Sequence, residues 1–233
     1  MDIFEDPSNI PYEFSNNIVE FEDFKTLLYN IEHGTACKQS FINYTHAGGR
    51  LEDEYFYIYR HTGEIYTESI PMFTVEKGDL SLLKSLIKLK PNLINFHNGH
   101  INILSEAIQF QKYDMAVYLI DNGADVNDAC HRNKTAIYYA IINHNAPMVK
   151  KLIENGADIE IIYSTARLNS LSNALYEASF YLDSRNPDKI IDINEPVFYI
   201  VFLLIVAGAK LQHPIDPLYV TIYYIILWRF VRC

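Results

Sequence analysis

Two stretches of this chain are nearly the same text: Asp121-Asn122-Gly123-Ala124-Asp125-Val126-Asn127 and Glu154-Asn155-Gly156-Ala157-Asp158-Ile159-Glu160. Each follows a Leu-Ile pair (Leu119-Ile120, Leu152-Ile153), and the copies lie 33 positions apart, which is the period of a stacked helix-pair repeat. A chain built this way has no built-in chemistry. It works by offering a surface to a partner.

A third, weaker copy falls in the same frame without gaps: residues 80–87 align with 113–120 and with 146–153. In each copy the Leu (Leu86, Leu119, Leu152) and the Ile after it (Ile87, Ile120, Ile153) join an apolar residue four positions before the Leu (Leu82, Met115, Met148). That spacing makes the packing stripe of a short helix. Gly123 and Gly156 follow the two strongest helices, where a left-handed cap is wanted and glycine adopts it without steric cost. In the first copy Lys90-Pro91 stands there instead, so that helix must stop differently.

A second short helix is expected upstream of each of these, over 71–77, 102–110 and 135–143. The Thr135 hydroxyl is suited to cap the third, and Ala107 and Ala140 are small enough for two helices to approach closely. This pattern resembles the ankyrin repeat. Thr135 to Ala140 fits its T-x-x-x-x-A opening, Gly78 its inter-helix glycine, and Asn122 to Asn127 its closing G-A-D-x-N. The departures are Ala136 and Ile103 for Pro, Tyr138 and Ser105 for His, and Gln111 and His144 for the inter-helix glycine.

The resemblance implies an all-α, ankyrin-like helix-hairpin solenoid over 67–233, with repeats at about 67–94, 95–127, 128–160, 161–211 and a partial one at 212–233. It implies protein binding through a concave groove of first helices and through the turn tips between repeats. Carried over position by position, the tip residues are His97, Asn98 and His100, then His131, Arg132 and Lys134; the groove residues are Gln109, Phe110, Tyr139, Ile142 and Asn143. Phe110 and Tyr139 are either partner anchors, as rigid aromatics often are, or inter-repeat packing. Divergent proteins of this kind are common in intracellular bacteria and large DNA viruses. The 18 tyrosines and abundant Ile and Asn fit an AT-rich genome of either source.

After Glu160 the period breaks, and Gly208-Ala209-Lys210 reappears 52 residues after Gly156, so the fourth repeat holds a 19-residue insertion. Its helices are expected at 171–181 and 196–206, with a polar loop at 183–189. A last helix begins at Asp216-Pro217. Its apolar residues (Ile222, Ile225, Ile226, Trp228, Phe230) are to be covered by the insertion, or else form a homodimer or hold a partner. Residues 1–66 show no repeat and are a cap or a small separate unit, with an amphipathic helix over 18–31 and a hairpin of 54–60 with 64–68.

Three scattered cysteines (Cys37, Cys130, Cys233) argue against a disulfide framework and for a reducing, cytoplasmic setting. The acidic opening of the chain lacks the features of a signal peptide. The longest uncharged apolar runs have 13 and 11 residues, too short to span a bilayer as a helix. A net charge of −10 disfavours nucleic acid, and Lys84, Lys88 and Lys90 fall on the outer side of one helix.

The alternative to a binding module is a cysteine enzyme in which Cys37 is served by His46 or His61 and by Asp53 or Glu54. A metal held by His97, His100, Cys130 and His131 lacks the usual ligand spacing, and Gly48-Gly49 lacks the Lys-Ser/Thr of a phosphate loop. No cofactor is expected.

Overall fold

Helix forms wherever the 33-residue frame sets an apolar stripe. The computed structural model describes residues 18–52, 54–58, 65–163, 168–179, 196–211 and 217–231. The three frame repeats supply first helices α3 (Ile70–Lys77), α5 (Ile103–Gln109) and α7 (Ala136–Ile142) and second helices α4 (Leu80–Leu89), α6 (Tyr113–Asp121) and α8 (Ala146–Glu154). They are preceded by α1 (Ile18–Glu32), α2 (Lys38–His46) and the antiparallel hairpin β1 (Glu54–Ile58) with β2 (Ile65–Ser69), and followed by α9 (Ser170–Ser179), α10 (Pro196–Val206) and α11 (Pro217–Val231). The loop expected at 183–189 and the end of the helix expected over 171–181 lie outside the described residues.

The stripe leucines Leu86, Leu119 and Leu152 are fully enclosed, together with Met115 and Met148. Ala107 and Ala140 are also enclosed, which lets α3, α5, α7 and α9 pack in series, one on the next. Second helices stack beside them, α4 on α6 and α8 on α10, and α11 lies on α9 and α10 as the next member of the first-helix row. At the other end α1 packs on α3 and α2 on α4. Phe24, Leu27, Leu28 and Ile31 of α1 meet Phe41 and Tyr44 of α2 in the same core.

Backbone geometry explains the departures from the repeat pattern. Each first helix turns into its second through one left-handed residue, Gly78 at φ 81°, Gln111 at 58° and His144 at 52°. Gln111 and His144 thus hold a conformation that costs a residue with a Cβ about 1–2 kcal/mol. After the second helices, Gly123, Gly156 and Gly208 all sit at positive φ. Where Lys90-Pro91 replaces the glycine, α4 ends at an extended Lys90 and the chain passes into a 3-10 turn over Pro91–Asn95.

The Thr135 hydroxyl does not cap α7, contrary to expectation. The same position holds Asn102 and Asn169 in the flanking repeats, and their carboxamide oxygens accept from Ser105 N (2.7 Å) and Ser172 N (3.0 Å).

Successive repeats are tied by a ladder of side chains at the end of each closing motif. Asn95 Oδ1 accepts from Asp125 N (2.8 Å), Asn127 Oδ1 from Asp158 N (2.7 Å), and Glu160 Oε1 from Lys210 N (2.7 Å). The third rung places Gly208-Ala209-Lys210 in line with its predecessors across the insertion. Asn127 Nδ2 also donates to Gly156 O at 2.9 Å. Asn127→Ala removes both bonds and is expected to lower stability by about 1–2 kcal/mol; Asn127→Asp keeps the acceptor and loses less. Urea melts of the two variants check the order.

Candidate interaction surface

The two turn tips are built from backbone bonds that leave their side chains outside. In the first, His97 and Asn102 form an antiparallel bridge, Asn98 Oδ1 accepts from His100 N and Ile101 N, and His97 Nδ1 accepts from Gly99 N at 2.7 Å. In the second, Cys130 N donates to Lys134 O (2.8 Å) around a 3-10 turn over His131–Asn133. His131 N donates to His100 O at 2.8 Å and joins the tips. The His100 and His131 rings meet edge-on, 6.2 Å apart. Arg132 Nε donates to His131 Nε2 (3.1 Å), and Lys134 Nζ lies 4.4 Å over the Tyr138 ring. His100, His131 and Arg132 are exposed; His97, Asn98 and Lys134 are half-buried.

The groove residues divide. Gln109 and Phe110 are exposed, Phe110 by 41%, and Ile142 is half-buried. Asn143 is spent inside the stack, donating from Nδ2 to Ile108 O at 2.6 Å. Tyr139 is a correction. It is 8% exposed, with the adjoining Tyr138 ring edge-on at 5.3 Å between centroids, so it is closed in and not an open anchor. Burial pushes its phenol well above the ordinary range.

Glu106 escaped the sequence reading. It stands 33 positions after Phe73 and 33 before Tyr139, on the same row of the first helices, and is half-buried. Burial, and then the neighbouring Glu76 carboxylate, push its pKa up to about 7. Its signal was available as the single charge on the otherwise uncharged stretch 103–110. One repeat further on, His144 Nε2 lies 3.6 Å from Glu177 Oε2.

The other candidate chemistries are placed apart. Cys37 is exposed at the start of α2, and hydrogen bonds from Ser40, backbone first and then side chain, lower its thiol pKa. His46 ends the same nine-residue helix, about 13 Å of axial rise away. His61 and Asp53 lie outside the described residues, as does the Glu54 side chain. Cys130 is buried, its thiol pushed up by burial, with Asn102 N donating to its Sγ at 3.3 Å. Among the described residues no group of three or more His, Cys, Asp or Glu is placed to hold a metal ion. None of the described helices is long and apolar enough to cross a membrane. On α11, Ile222 and Ile226 are buried while Tyr224 (64%), Ile225 (37%) and Trp228 (63%) are exposed; residues 180–195 of the insertion expected to cover them lie outside the described residues.

Comparison with known proteins identifies the repeat. The pattern of ankyrin repeats, in three copies, matches residues 72–162. That segment of the chain is made of ankyrin repeats. It is also similar to an ankyrin repeat protein of fowlpox virus (strain NVSL), 32% identical over 102 residues. That match covers 44% of this chain and 24% of the relative, so the chain spans about a quarter of the viral protein's length. The ankyrin segment contains α3 to α8, both turn tips and the groove residues Gln109 to Asn143. Ankyrin repeats are protein-interaction modules.

Proposed function

We propose that this ankyrin repeat protein is a non-enzymatic adaptor that holds a partner protein against the joined tips and the groove, acting in the cytosol of a host cell. The 2.8 Å bond from His131 N to His100 O carries the reading, because it makes one rigid edge of two loops. A rigid edge loses little entropy on binding. At the other end of α5, exposed Phe110 offers an apolar contact of the kind that dominates interfaces, with the polar Gln109 next to it. The host-cell setting is supported by the likeness to a fowlpox virus protein.

The test is recovery of partners from host cytosol by the intact chain and by a variant carrying Gln109→Ala, Phe110→Ala, His131→Ala and Arg132→Ala. The variant is expected to keep its helical circular dichroism and to lose about tenfold or more in affinity for a captured protein, given truncation costs above 1 kcal/mol at anchor residues. Equal recovery of every captured protein removes this surface. Tyr139 is left out of the variant because its truncation opens a core cavity.

A further inference from the structure

The adaptor reading can be sharpened to the chemistry of the partner, and the sharper statement rests on it. We propose that the joined turn tips dock an acidic segment of the partner protein, with the Arg132 guanidinium meeting an Asp or Glu carboxylate and Lys134 reinforcing it.

The chain carries a net charge of −10, yet no Asp or Glu occurs in 91–105 or in 129–153, the stretches that hold the two tips. The acid next to the second tip is Asp128, two residues before Cys130. Lys77, Lys90, Lys150 and Lys151 each meet a carboxylate within the protein, with Glu32, Glu52, Glu154 and Asp121. Among the described residues Arg132 and Lys134 meet none: Arg132 gives its Nε to His131, and Lys134 rests on the Tyr138 ring. Both contacts orient the cation without neutralising it. The Arg132 terminal nitrogens are left for a planar, two-oxygen acceptor, which a carboxylate supplies.

Backbone geometry points the same way. Arg132 and Asn133 are consecutive non-glycine residues at φ 64° and 57°, a conformation that persists only where the surrounding structure holds it and that gathers at ligand clamps. Here the Cys130–Lys134 and His131–His100 bonds hold it, and both residues are exposed. Screening at physiological salt, with a Debye length of about 8 Å, weakens the distant acids of the chain and leaves Arg132 and Lys134 set against the nearby Asp128.

The probe is hexaglutamate, titrated into the isotope-labelled full chain and followed by amide resonances, with hexalysine and a six-residue oligothymidylate in parallel. Hexaglutamate is expected to shift residues 97–101 and 130–135 saturably, hexalysine to leave them in place, and the oligonucleotide to bind more weakly. Arg132→Glu with Lys134→Glu is expected to weaken hexaglutamate at least tenfold at unchanged helicity. Arg132→Lys, which keeps the charge and loses the fork, falls between. Lys88→Glu, on the exposed side of α4, leaves hexaglutamate binding at the tips as it was.

Absence of saturable shifts at the tips, indifference to the charge reversal, or tighter binding of the oligonucleotide at the same edge overturns the acidic-segment proposal. If hexaglutamate fails while the groove and tip alanines still reduce partner recovery, the adaptor reading stands and only the partner chemistry falls. If those alanines change nothing, the adaptor surface itself is lost.

Discussion

Leu119→Ala is expected to destabilise the chain by about 2–5 kcal/mol, the range for emptying a fully enclosed leucine site. Leu119 has no exposed surface and sits in α6, the second helix of the middle family-matched repeat. Its neighbours Met115 and Ala116 are equally enclosed, so little can move in to fill the space. In a stack, stability is close to a sum of repeats and of the interfaces between them. A cavity in the middle repeat therefore weakens two interfaces, whereas Leu204→Ala in α10 acts nearer an end. Urea denaturation followed by circular dichroism should show the Leu119→Ala midpoint well below that of Leu204→Ala, with a broader transition. A loss under about 1 kcal/mol for Leu119→Ala would mean the site collapses freely, and that its stripe is not the spine of the stack.

That spine was readable because it repeats. Leu86, Leu119 and Leu152 recur with their glycines at one spacing, and a fixed period makes the buried face visible without any structure. Gly208-Ala209-Lys210 could be aligned across the insertion for the same reason, and the Glu160 to Lys210 bond shows the alignment in space. The N-terminal pair was not visible as part of the stack. Its α1 and α2 pack on α3 and α4, but through Phe24, Leu28 and Phe41, with no closing Gly-Ala-Asp to mark the frame.

Orientation within a first helix was also hidden. Tyr139 lies within α7 and is enclosed, whereas Phe110 caps the end of α5, four positions beyond the Glu106 that matches Tyr139, and is open. Gln111 and His144 looked like losses of a needed glycine; the structure keeps the glycine's conformation and leaves the side chain to bear the strain. The tips were legible as an edge, since Cys130, followed by His131, stands one period after His97. The bond joining them was not, because it is made by backbone atoms.

Glu106 gives the pH dependence its sign. Its carboxyl holds its proton up to about 7 in the folded chain, against an ordinary 4.5. The folded state therefore binds that proton more tightly than the unfolded one. Stability from this group is complete below pH 4.5 and is lost as the pH climbs through about 7, where the buried carboxylate must form beside Glu76. The full difference is about 3 kcal/mol, and the partly open groove reduces it to roughly 2. Glu106→Gln removes the ionisation and keeps the shape, so it should match the parent at pH 4.5 and exceed it at pH 8. Glu76→Gln, which removes the repelling neighbour but not the burial, should recover only part of the gain. Urea melts of the three chains across this range measure the slope. A Glu106→Gln advantage that does not change with pH would show that the carboxyl is already hydrated and ionised in the groove, and that the acid is not confined by the helices around it.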